Sequence, residues 1–122
     1  MHNFKKLQIW ERSKELVLKI YEVTDNLPSS EKFGLISQIR RAAVSIPSNI
    51  AEGSARESSK EFLRFLEIAK SSSFELETQI IICEELKFFD SDLSESLLNE
   101  INQLQKMILV FQKKIKKEIL DN

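Results

Sequence analysis

Helix-breaking residues are almost missing from this chain. Two glycines and two prolines punctuate 122 residues, too few turn formers for the many reversals of a β-sandwich or barrel. Between them, apolar residues recur at alternating steps of three and four, the spacing of one buried helix face. In the first such segment Trp10, Ser13, Val17, Ile20, Thr24 and Leu27 share a stripe widened by Leu7, Ile9, Leu16 and Val23. Asn26-Leu27-Pro28 ends it, because the residue before a proline avoids helical geometry. The second stripe is Leu35, Ile39, Ala42 or Ala43, Ile46 and Ile50. A serine cap at Ser29 or Ser30, followed by Glu31, suits its start. Pro47 removes the bond to the Ala43 carbonyl and predicts a kink, and Gly53 reads as the C-terminal stop.

The third segment opens on Ser58-Ser59-Lys60-Glu61, a capping box. It carries Phe62, Leu66, Ala69, Ser73, Leu76, Ile80 and Cys83 as a heptad seam. Phe65, Ile68, Phe74, Ile81 and Ile82 fall outside that seam, so this helix has apolar surface for more than one packing partner. Phe89-Asp90-Ser91-Asp92 closes it, with Asp92 and Glu95 as the capping pair of the next helix. The fourth stripe is Leu97, Ile101, Leu104, Ile108, Phe111 and Ile115, widened by Leu98, Met107 and Leu109, and Asp121-Asn122 is expected to fray. The expected helices span about residues 4–26, 30–52, 59–88 and 92–119 of one domain, residues 1–122. Short connections force sequential neighbours to run antiparallel. The predicted fold class is all-α, an antiparallel up-down-up-down four-helix bundle. The run Ser71-Ser72-Ser73 reads either as a solvated surface or as small residues that let another helix approach.

Enzyme classes find little support. The single histidine, His2, lies at the start of the chain, and no nucleophile, histidine and acid form a set. Glycine-rich phosphate loops, zinc-ligand spacings and the Glu-x-x-His pairs of di-iron bundles are all missing from the sequence. We therefore expect a non-enzymatic protein with no cofactor and no metal. Cys83, the lone cysteine, cannot form an intrachain disulfide and sits on a core seam as an inert thiol. No run of about 18 apolar residues is present for a membrane span. The basic stretch Met1 to Lys6 lacks the apolar run of a signal peptide, so a cytoplasmic location is expected.

One block is distinctive: Gln38-Ile39-Arg40-Arg41-Ala42-Ala43-Val44-Ser45-Ile46-Pro47-Ser48-Asn49-Ile50-Ala51-Glu52-Gly53. It resembles the signature of the bacterial 23S rRNA intervening-sequence proteins. The resemblance continues through Arg56, Ser58, Glu61-Phe62, Phe65-Leu66, Ile68-Ala69 and Glu75-Leu76-Glu77-Thr78-Gln79. It reaches back to Leu7, Trp10, Tyr21, Leu27-Pro28, Glu31 and Phe33-Gly34-Leu35. It implies a four-helix bundle assembled as a homopentamer, with a largely undefined biochemical role. A related bundle, the accessory variability determinant of diversity-generating retroelements, is strongly basic. This chain has a net charge of -1, which makes the rRNA-associated group the better match.

Opposite its apolar stripe, the second helix carries a polar line: Gln38, Arg41, Ser45, Ser48 or Asn49, and Glu52. A structural reading has Ser45 and Ser48 satisfying backbone groups freed by Pro47, Asn49 bonding the following loop, and Arg41 pairing with Glu52 or another subunit's acid. A functional reading makes Arg40, Arg41, Ser48, Asn49 and Glu52 a ligand or partner groove. Charge is also segregated. Residues 71–100 hold eight acids against the single base Lys87, a net of -7, which leaves +6 on the rest of the chain. In an up-down bundle those acids gather at one pole. The other pole collects Lys5, Lys6, Arg56, Lys60, Arg64, Lys113, Lys114, Lys116 and Lys117. Arg56, Lys60 and Arg64 are expected on one helix face at steps of four. Such a pole suits RNA or ribosome-associated nucleic acid, and repetition in a ring adds avidity. A solvated charged face, with lysines suiting a helix C-terminus, is the simpler alternative. A protein partner bound through the acidic pole or the ring surface is the competing functional class.

Overall fold

Four α-helices carry the four stripes in the protein, whose structure is a computed structural model describing residues 2–121. They are α1 (Gln8–Thr24), α2 (Leu35–Ser54), α3 (Ser59–Glu85) and α4 (Ser91–Asp121), with no strand among the described residues. Cross-links between the helices set their directions. Arg12 Nη2 donates to Gln103 Oε1 at 2.8 Å and Lys19 Nζ to Glu100 Oε1 at 2.9 Å. Gln112 Nε2 donates to Glu67 Oε2 and Gln105 Nε2 to Glu77 Oε1, both at 2.9 Å. Numbers rise on one helix as they fall on its partner, so α1–α4 and α3–α4 are antiparallel. α2 packs most extensively on α3, and α1 meets α4 only lightly. The result is an all-α four-helix bundle.

The core is the union of the stripes. Every residue of the α3 seam is buried, and so are Ile39, Ala42, Ala43, Ile46 and Ile50 of α2. On α4, Leu97, Ile101, Leu104, Ile108 and Ile115 are buried, while Phe111 is half-buried at the rim. Phe65, expected as surplus apolar surface, is half-buried within the chain itself, and so is Phe88. Phe74, Ile68, Ile81 and Ile82 remain exposed on α3. Ser72 and Ser73 are buried and Ser71 is exposed. The Ser72 hydroxyl lies 2.8 Å from that of Ser45, so the small residues do admit a neighbouring helix, α2.

Several element ends differ from the expected ones. The chain start is not part of α1: Asn3 caps a 3-10 turn at Phe4–Lys6, and Leu7 is extended before Gln8 begins the helix. Ser29 opens only a 3-10 turn, Ser29–Glu31, and α2 starts at Leu35 after Gly34. Neither serine bonds a helix N–H there, so the cap signal acts on a single turn. Gly53 is not a stop. It lies buried inside α2, where a Cβ would come within 2.6 Å of Phe65 Cβ and 2.9 Å of Phe62 Cδ1. Ser58 Oγ accepts the Glu61 N–H at 3.3 Å, as the capping pattern requires. α3 ends three residues early because Lys87 turns left-handed (φ 64°) and the Phe88 N–H bonds back to the Cys83 carbonyl at 2.8 Å. Asp90, not Asp92, caps α4: its Oδ1 accepts the Leu93 N–H at 2.8 Å. α4 runs on to Asp121, and Asn122 lies outside the described residues.

Candidate nucleic-acid interface

The polar line of α2 divides into parts with different duties. Asn49 Nδ2 donates to the Ser45 carbonyl at 2.8 Å and to Ser45 Oγ at 3.0 Å, and Ser45 in turn contacts Ser72. Asn49 therefore braces α2 next to Pro47 and does not reach the following loop. Neither Ser45 nor Ser48 bonds the Ala43 carbonyl among the described residues, and Ser48 is exposed. Glu52 pairs with Arg56 at 3.2 Å rather than with Arg41. Arg40 is a latch between helices: its guanidinium donates to Thr24 Oγ1 (2.9 Å), the Tyr21 carbonyl (3.2 Å) and Asp25 Oδ1 (2.8 Å), and lies 4.4 Å over the Tyr21 ring. Its donors are spent inside the chain. Arg41, one residue on, is exposed and makes no ion pair among the described residues.

The chain start, the end of α2, the start of α3 and the second half of α4 meet at one end of the bundle. The His2 N–H bonds the Ser54 carbonyl at 2.9 Å. The His2 ring packs on Phe62 (5.1 Å) and Phe111 (6.1 Å), which touch each other at 5.6 Å. Around this plug stand Lys5, Lys6, Lys60, Arg64, Lys106, Lys113, Lys114, Lys116 and Lys117. All are exposed, and none forms an ion pair among the described residues. Arg56 departs from its expected place. It precedes the Ser58 cap, so it is not on the α3 face with Lys60 and Arg64, and it pairs back to Glu52 while covering the Phe65 ring at 4.9 Å.

The helix dipole does not account for the lysines of α4. The helix continues to Asp121 and its last turn contains no base, whereas the dipole effect fades within that turn. Lys106 was not among the sequence candidates, although it lies two turns before Lys113 and Lys114 on the same side. With Lys6 and Lys114 it rims a groove of about 400 Å³ floored by Leu7, Ile9, Met107, Val110 and Phe111. Further along α3, Glu67 holds Lys70 of its own helix and Gln112 of α4. The Gln112 amide and then Lys70 keep that carboxyl below its ordinary pKa. Those groups are therefore structural neighbours of the basic end rather than part of its free charge.

No cluster of three metal-ligating side chains occurs among the described residues, and no helix is long and apolar enough to cross a membrane. Cys83 is fully buried, and burial, with the Glu31 charge adding, pushes its thiol up to about 11.

Comparison with known proteins agrees with this fold. A protein of unknown function from the S23 ribosomal protein family of Bacteroides thetaiotaomicron has a similar solved structure, with a TM-score of 0.80 and 24% identity. The similarity covers 86% of this chain and 95% of that one, and it is a likeness of fold. No curated protein matches the chain. The family model described as 23S rRNA-intervening sequence protein matches residues 5–110. With most of its length matched, including the whole Gln38 to Gly53 block, the chain belongs to the 23S rRNA-intervening sequence protein family.

Proposed function

We propose that this protein is a non-enzymatic, homo-oligomeric scaffold that holds structured RNA by its phosphate backbone at the lysine-rich end. The observation that carries the reading is the set of nine exposed cations there, none of which forms an ion pair among the described residues. Cations already paired gain less from phosphate, whereas free ones exchange condensed counterions for direct contacts. The exposed apolar side chains Ile68, Phe74, Ile81 and Ile82 on α3 offer surface for self-association. A ring of copies would repeat the basic end and bind by avidity. The same exposed face also suits a second reading, an adaptor for protein partners without nucleic acid.

Titration with structured 23S rRNA fragments at low and near-physiological salt, alongside light scattering at micromolar concentration, tests the proposal. The expected mass is several times the 14.2 kDa of one chain. Replacing Lys113, Lys114, Lys116 and Lys117 by glutamine should weaken binding and flatten the log–log salt slope by roughly 3 to 4, about 0.9 per lost duplex contact. No RNA binding at either salt would refute the nucleic-acid reading and leave the adaptor. A monomeric mass would refute the assembly.

A further inference from the structure

The opposite end of the bundle is the pole to which residues 71–100 bring their acids, yet one groove there, between α1 and α2, is lined by aromatic rings and cations and by no acid. Phe33 sits in the turn before α2 and is 91% exposed. Burying a phenylalanine side chain is strongly favourable, yet this ring contributes nothing to the core. The Lys32 ammonium stands 5.5 Å from its centroid. Across a groove of about 510 Å³ lie Tyr21, Arg40 and Arg41. Arg40 is neutralised by Asp25 and fixed on the Tyr21 ring, so it shapes the wall. Lys32 and Arg41 are exposed and unpaired among the described residues. An open ring flanked by two free cations matches an unpaired nucleotide, which offers a flat base for stacking and phosphates on either side. An aliphatic protein surface would cover the ring and leave both cations without partners. A duplex keeps its bases in the stack and cannot present one to Phe33.

We propose that this groove binds single-stranded RNA, with a base stacked on Phe33 and phosphates held by Lys32 and Arg41. The proposal shares the nucleic-acid premise of the function proposed above but uses none of the lysine-rich end. A bundle with both surfaces would hold a structured RNA at one pole and an unpaired loop or tail at the other.

Fluorescence anisotropy with a labelled single-stranded oligoadenylate and a blunt RNA duplex decides it. Phe33→Ala removes an exposed ring and leaves folding intact. It should weaken single-strand binding roughly 5- to 150-fold, the loss of one stacked base, without moving duplex affinity. Phe33→Trp should preserve binding, and the new indole emission should be quenched by the oligonucleotide. Phe33→Leu should behave like Phe33→Ala. Unchanged single-strand affinity in Phe33→Ala overturns the proposal. Wild-type affinity in Phe33→Leu also overturns it, because apolar contact would then suffice and a protein segment would be the better occupant. Wild-type binding of duplex alone defeats this groove and spares the lysine-rich end. Binding of the single strand alone does the reverse, and binding of neither defeats both.

Discussion

Replacing Gly53 by alanine sets two opposed effects against each other at one atom. In a helix interior, alanine is favoured over glycine by about 1 kcal/mol, because glycine loses more backbone freedom on folding. Against this, the added methyl would lie 2.6 Å from Phe65 Cβ and 2.9 Å from the Phe62 ring. Rotating a side chain cannot relieve the first contact, because Phe65 Cβ is fixed to the α3 backbone. α3 must retreat from α2 by about 0.8 Å to reach an ordinary contact, at the most extensive helix pairing in the bundle. Overpacking of this kind costs about 1–3 kcal/mol, and the rigidity of both partners places it in the upper part of that range. The net expectation is a loss of about 1–2 kcal/mol, which for a chain of this length lowers Tm by roughly 3–10 °C. Thermal and urea unfolding followed by circular dichroism measure it. Gly53→Asn separates packing from capping. At a left-handed helix stop asparagine is better tolerated than alanine, whereas in a tight helix contact the larger side chain is worse. An alanine variant as stable as the parent, or an asparagine variant more stable than the alanine one, refutes the packing argument.

Two further outcomes follow from single side chains. Arg40→Met keeps the aliphatic stem but removes the bonds to Thr24, Tyr21 and Asp25. It should cost about 1–2 kcal/mol in urea unfolding, with Arg40→Lys recovering little because an ammonium lacks the planar fork. Equal stability of Arg40→Met and the parent would remove the latch from the account. Cys83 is held neutral by burial, with its thiol raised from 9.0 to about 11. A raised folded value means that its contribution to stability is full below pH 9 and is lost as pH rises towards 11. Cys83→Ala, though less stable throughout, should show a shallower decline across that window. Native protein should also resist a thiol reagent at pH 8 until denaturant is added, and rapid native labelling would contradict the burial.

The α3 seam and the α4 stripe were legible because helical periodicity is a property of a single segment. The lysine-rich end was legible in outline for a related reason: helix order and short loops decide which charges share a pole. Element ends were less legible. Ser29 and Asp92 carry the right chemistry for caps, yet Gly34 and Asp90 stand at the actual starts. A cap depends on where the backbone turns, and neighbouring helices control that. Lys87 gave no local signal for the left-handed turn that ends α3.

Among the candidate residues the division is sharper. That Lys113, Lys114, Lys116 and Lys117 face water follows from their places between core positions Ile108 and Ile115 and the end of the helix. That Arg40 is spent on α1 while Arg41 is free, and that Arg56 turns back to Glu52, could not be read from adjacent letters. The sequence alone thus determined four amphipathic helices, their order and the segregation of charge, because these depend on spacing along one chain. Only the tertiary structure decided which cations remain free, why Gly53 carries no side chain and where Phe33 stands. Those depend on distances between helices, and such distances exist only once the stripes have packed.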